Sequence, residues 1–302
     1  MEPEQGVIVQ FVAELVVDAS ARTGEGPVWV EREQALFWLD IPSQLLHRFD
    51  PSAGVDESFL LEQPVGAIVT SSEGGFVVAA RDGFGRLDPM SGRIAMIAEV
   101  ESQNPLTRMN DGKCDAAGRF WAGTMAWDPF EHRDAGTLYR LDPDGSVQPM
   151  LRRVGISNGL GWSPDSATMY FIDSLGYGLD AFEFDATTGS IAGRRRVITY
   201  PFDLSDLILA DGMTVDEQGC LWIAVWGSGT VERRAPDGSL VGRVEIPTSN
   251  VTSCAFGGRD LADLYITTSS EHLKPDRPQQ GAGGLFRARP GVRGIPANAY
   301  AG

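Results

Sequence analysis

Four side chains able to hold a hard cation fall at one phase of this chain. Glu25, Asp111, Asn158 and Asp211 each open a short, largely apolar stretch after a small or polar residue. Converging carboxylates repel one another unless a proton or a cation joins them. A set of carboxylate and amide oxygens suits a hard divalent cation. Asp-Gly and Asn-Gly pairs also make ordinary turns. Four at one phase, each before a buried strand rather than inside a hairpin, favour the metal reading. Arg108 and Asn110 sit just before Asp111. An arginine at such a rim can donate to hydroxyl or carbonyl oxygens of a ligand.

Other chemistry finds less support. His47, His132 and His272 lie outside the recurring phrase, which argues against a His-rich zinc site. Gly155-Ile-Ser157-Asn-Gly159 matches the nucleophile elbow in letters. That elbow needs strand, turn and helix, and here a β-turn sequence leads to another strand. Asp142-Pro-Asp-Gly145 begins like a calcium loop but lacks the later ligands. Cys114, Cys220 and Cys254 form no C-x-x-C pair and read as small packing residues.

The elements that would position the site come from a repeat. Equivalent first positions are Glu25, Val65, Asp111, Asn158, Asp211 and Ser253, spaced 40–53 residues apart. Each opens an apolar stretch, a turn, an aromatic-rich strand and a further strand. A period in this range with several strands per unit predicts a β-propeller. Six units fill the 302 residues, so the expectation is all-β, a six-bladed β-propeller as a single domain over 1–302, its core over about 14–302. Pro236-Asp-Gly238 and Asp142-Pro-Asp-Gly145 supply hairpin turns. The stretches Trp127–Ala135 and Ser270–Ala282 read as longer loops, and such loops can lie over a site.

Composition narrows the function classes. Hydrophobic residues make up 42% and charged residues 22%, as in an ordinary globular protein. The 36 glycines and 18 prolines follow no G-X-Y period and fit many turns. A net charge of −16 disfavours nucleic acid and anionic membranes as partners. The first ten residues lack a basic n-region and an apolar h-region. With three cysteines and no disulfide framework, a reducing, cytoplasmic location is expected.

Several motifs, in order and in phase, resemble one family. They are Gly24-Glu-Gly-Pro-Val-Trp29, Arg108-Met-Asn-Asp-Gly-Lys113, Ala122-Gly-Thr-Met125, Ile156-Ser-Asn-Gly-Leu160, Asp211-Gly-Met213 and the tail from Gly291 to Gly302. Together they look like the regucalcin (senescence marker protein) and gluconolactonase family. The resemblance implies a six-bladed propeller with one divalent metal in its tunnel (Ca, Zn, Mn or Mg), held by Glu25, Asn158 and Asp211. It implies substrate contacts from Arg108, Asn110 and Asp128. At Asp128 this chain carries Asp where the animal proteins carry Glu, a shorter reach, and Trp127 beside it reshapes the mouth. The activity implied is hydrolysis of a sugar-acid lactone to an aldonic acid. On that reading Asp211 is the catalytic base, and Asp111 is an outer-shell group or alternative base. A non-catalytic calcium-binding propeller, or an organophosphate or ester hydrolase on the same site, are the rival expectations. The expected assembly is a monomer or weak dimer.

Overall fold

The computed structural model describes residues 8–201, 207–274, 276 and 279–302. Six separate antiparallel sheets follow one another along the chain. Each is a blade whose first strand lies innermost. The inner strands are Gly24–Val30, Val65–Thr70, Thr107–Cys114, Ser157–Trp162, Leu209–Val215 and Val251–Gly257, in blades one to six. The six-bladed propeller expected from the repeat is therefore the observed fold. No α-helix occurs among the described residues, and only two single-turn 3-10 segments interrupt the strands. No described helix is long and apolar enough to cross a membrane.

The ring closes by exchange of its ends. Glu14–Val17 forms the outer strand of blade six, antiparallel to Leu285–Ala288. Just before it, Val9–Val12 adds a fifth, parallel strand to blade five, against Leu240–Glu245. The C-terminal tail then crosses the far end of the tunnel. It is stitched by Glu217 N to Arg293 O, Gly294 N to Leu261 O, Tyr300 N to Thr70 O and Ala301 N to Gly118 O. The two chain ends thus tie blades two, three, five and six together, and the ring cannot open without losing them.

Apolar residues packed between adjacent blades form the core. Trp121 and Trp222 hold the same place on the second strands of blades three and five, Trp38 lies two residues further along that of blade one, and all three are fully buried. Burial of each such ring contributes on the order of 2–3 kcal/mol. Each indole N–H is satisfied by a carboxylate: Asp56 at 3.1 Å, Asp115 at 2.9 Å and Asp216 at 3.0 Å. Asp115 and Asp216 also accept backbone N–H groups of their own turns and bind Arg119 and Arg233. This aspartate clamp fixes the turn that follows the inner strand in blades three and five.

Every inner strand carries a bulge at the same depth. The ladder skips between Glu25 and Val28, Val65 and Ala67, Met109 and Gly112, Ser157 and Leu160, Ala210 and Met213, and Val251 and Ser253. A bulge re-aims side chains and bends the strand. Here it does so around the axis, where six strands converge. Space is tight at this level: a Cβ on Gly66 would run into the backbone of Met109 and Asn110, and one on Gly212 into Ser253.

Candidate active site

The bulges correct one reading of the sequence. The phrase places Glu25, Asp111, Asn158 and Asp211 at one phase. The strand register does not. Asn110, Asn158 and Asp211 take the first unpaired place of their bulges, whereas Asp111 takes the second, level with Gly159 and Gly212. Glu25 is still paired, one residue before its bulge. Blade three thus turns two polar side chains toward the axis where blades four and five present one side chain and a glycine.

Despite the offset, the charged groups converge. Glu25, Asp111 and Asp211 are 6%, 8% and 7% exposed. Burial, then repulsion from Asp211 and Asp111, raises the Glu25 carboxyl well above its ordinary value. Burial, then Asp111, does the same to Asp211, while Asn158 and the Gly212 N–H pull the other way. Burial raises Asp111, and Lys113 opposes this. Arg108 faces the same group: burial lowers its guanidinium to about 10, against the pull of Glu25 and Asp211. Without a further cation, three buried carboxylates face two half-buried cations, Arg108 and Lys113.

Hydrogen bonds order the amides. Asn110 Nδ2 donates to Ser157 O at 2.9 Å, joining blades three and four. Arg108 Nη1 donates to Asn110 Oδ1 at 2.8 Å and to Met109 O at 2.9 Å. Asn158 Nδ2 donates to Ser174 Oγ at 3.0 Å, and that hydroxyl donates on to Ala210 O in blade five at 2.6 Å. With Nδ2 so committed, the buried Asn158 Oδ1 is left with no hydrogen-bond partner. A buried acceptor without a donor costs about 1–3 kcal/mol, and a cation at the carboxylates relieves it. Among the described residues no three His, Cys, Asp or Glu side chains form a cation cluster on their own. The donor set that fits is two carboxylates and an amide, Glu25, Asp211 and Asn158, all oxygen and suited to a hard cation.

At the mouth the loop from 127 to 135 carries two further residues. The Arg108 guanidinium lies 5.5 Å from the Trp127 ring centroid. Asp128 is exposed, and its Oδ1 accepts the backbone N–H groups of Phe130 and Glu131 at 3.2 and 3.1 Å. One carboxylate oxygen is therefore committed to its own loop. His132 is half-buried on the same loop. Ser157 opens the inner strand of blade four, so the nucleophile elbow is excluded by its context.

A cavity of about 500 Å³ lies toward the other end of the tunnel, where Ile295 to Asn298 of the tail line it. Its upper end reaches Asp111 and Lys113 rather than the mouth beside Arg108.

Sequence reasoning did not single out Ser174, Lys113 or the two strand-end aspartates. Lys113 Nζ donates to Met213 O at 2.7 Å, bridging blades three and five. Asp40 accepts the Arg22 and Thr23 N–H groups, and Asp173 accepts those of Gly155 and Ile156. They set the entry to the strands carrying Glu25 and Asn158. An aspartate closing the second strand, in Leu39-Asp40 and Ile172-Asp173, is the signal that could have found them.

Fold and site together define a six-bladed β-propeller with an acidic, oxygen-lined axial centre. Residues 23–270 match the SMP-30/Gluconolactonase/LRE-like region. The chain belongs to that family. It is 39% identical to regucalcin of Danio rerio over 293 residues, covering 96% of this chain and 98% of that one. It is 38% identical to regucalcin of Oryctolagus cuniculus over 296 residues, with the same coverage. A solved structure described as a calcium-binding protein, regucalcin, from Agrobacterium tumefaciens superimposes with a TM-score of 0.89 at 29% identity, covering 98% of this chain and 99% of the other.

Proposed function

We propose that this protein is a divalent-metal-dependent lactonase that opens sugar-acid lactones to aldonic acids. The observation that carries the reading is the buried, partnerless Asn158 Oδ1, on an amide that acts on Asp211, whose carboxylate in turn faces Glu25. Membership of a family named in part for gluconolactonase supports it. A divalent cation at Glu25, Asn158 and Asp211 supplies Lewis acidity toward a lactone oxygen and charge to match the carboxylates.

The remaining chemistry belongs to the side chains. Arg108 has Nη1 committed to Met109 and Asn110. Its other N–H groups make no hydrogen bond among the described residues, and they donate to the lactone's oxygens, holding the ring and offsetting developing negative charge. Asn110 supports that arginine from below. Asp128 offers its second oxygen to a substrate hydroxyl. Asp211 takes a proton from the attacking water, with Asp111 as the alternative base. Water adds to the acyl carbon, the bond from that carbon to the ring oxygen breaks, and the ring oxygen leaves as a hydroxyl, taking the proton that the base had removed from water. The product is the open-chain acid.

The test is acid release from a panel of γ- and δ-aldonolactones, using chelator-stripped protein before and after each divalent metal is restored. Metal-restored hydrolysis supports the reading. No acceleration over spontaneous opening, in folded and metal-loaded protein, sinks it. That outcome would favour the second reading, a non-catalytic calcium-binding propeller, which the description of the Agrobacterium relative as calcium-binding favours.

A further inference from the structure

The loop that follows the second strand of blade three holds an aromatic residue in an unusual setting. Trp127 is 49% exposed, with the Arg108 guanidinium 5.5 Å from its ring centroid. Exposed indoles are expected to be mobile, but this one stands on a fixed backbone. Trp127 N donates to Leu106 O at 2.9 Å. The next residue, Asp128, caps the turn through Phe130 N and Glu131 N, and His132 N returns to Asp128 O at 3.1 Å. The backbone on both sides of the tryptophan is therefore tied down, and its ring lies beside the arginine that faces Glu25 and Asp211. Leu106 and Phe130, 48% and 41% exposed, extend the apolar rim. Apolar area held rigid and left in water beside a polar centre marks a surface that a ligand covers.

We propose that Trp127 is the specificity-determining wall of the mouth: its indole takes the C–H face of a lactone ring whose polar edge Arg108 binds. The proposal rests on the lactonase reading and names the substrate class within it. Rings presenting one face made only of C–H bonds fit this wall. Among γ-aldonolactones these are the all-cis isomers, whose C2 and C3 hydroxyls and C4 side chain lie on one face. In the trans isomers a hydroxyl projects from each face, and one of them always meets the indole. The arginine half of the pair is present with or without the indole, so loss of the ring removes orientation and leaves the reacting groups in place.

The experiment compares wild type, Trp127→Ala and Trp127→Phe on matched all-cis and trans γ-aldonolactones, with metal content and melting temperature measured for each. The expected result for Trp127→Ala is a KM about tenfold higher with kcat within about twofold, since lost stacking weakens binding before and at the transition state alike. Trp127→Phe keeps a KM near wild type. Wild type prefers the all-cis isomers, and Trp127→Ala loses that preference. An unchanged KM, or a preference that survives in Trp127→Ala, overturns the proposal while leaving the lactonase reading intact. Absence of turnover by wild type with every metal overturns both. A purely structural role predicts lower melting temperature and lower kcat instead, and that result also overturns it.

Discussion

Asn158 and Ser174 are joined by a 3.0 Å hydrogen bond from Nδ2 to Oγ, and that bond decides which atom of the amide faces the axis. Ser174 is itself anchored on Ala210 O, one residue before Asp211. The pair thus couples the amide of blade four to the strand carrying the carboxylate of blade five. Ser174→Ala should free the amide to rotate and weaken divalent-cation binding about 10–100-fold, the usual cost of losing an outer partner of a ligand. Calorimetric titration of chelator-stripped protein checks this. Unchanged affinity would remove Asn158 from the donor set.

The raised carboxyls make stability depend on pH and metal together. Glu25 and Asp211 have folded values above their unfolded ones. Protons then bind the folded state better, so their contribution is fully present below the ordinary carboxylate range and is lost as pH rises through the raised values. Metal-free protein should melt at a lower temperature at about pH 8 than at about pH 5, for this contribution. A saturating divalent cation should raise the melting temperature more at the higher pH, where it competes with fewer protons. Equal metal-induced shifts at both would contradict the ligand assignment.

Arg108 binds Met109 O and Asn110 Oδ1 through one nitrogen, and the rest of its guanidinium makes no hydrogen bond among the described residues; in the proposed function that part binds the substrate. Lysine keeps the charge but not the planar fork. Arg108→Lys should therefore lower kcat/KM by about 10–100-fold, the range of one well-made charged hydrogen bond, with little change in melting temperature. Steady-state kinetics beside a thermal melt separates this from unfolding.

Asp216 is fully buried and binds Trp222 Nε1, Arg233 and the N–H groups of Gln218 and Cys220. Asp216→Ala leaves a guanidinium and several buried donors without their acceptor. It should destabilise the protein by about 3–5 kcal/mol, as removal of one partner of a buried pair does. Denaturant unfolding measures it. A loss under about 1 kcal/mol would show that water replaces the carboxylate, a group this buried being otherwise costly to lose.

The sequence by itself determined the architecture and the cast of side chains. Turn chemistry at Pro236-Asp-Gly238 and the repeated apolar strands are local signals, written in residue types a few positions apart. They sufficed for six blades and for Glu25, Asp111, Asn158 and Asp211 as polar groups near an axis. Tertiary structure decided the rest. Bulges shift the register, so Asn110 and not Asp111 stands level with Asn158 and Asp211. A one-residue shift turns a side chain to the other face of a strand, and no spacing in the chain reveals where the ladder will skip. Contacts between blades were equally hidden. Asn110 meets Ser157 and Lys113 meets Met213 only after packing closes the ring. Such pairs are separated by tens of residues, and their geometry is set by how converging strands fill a shared axis.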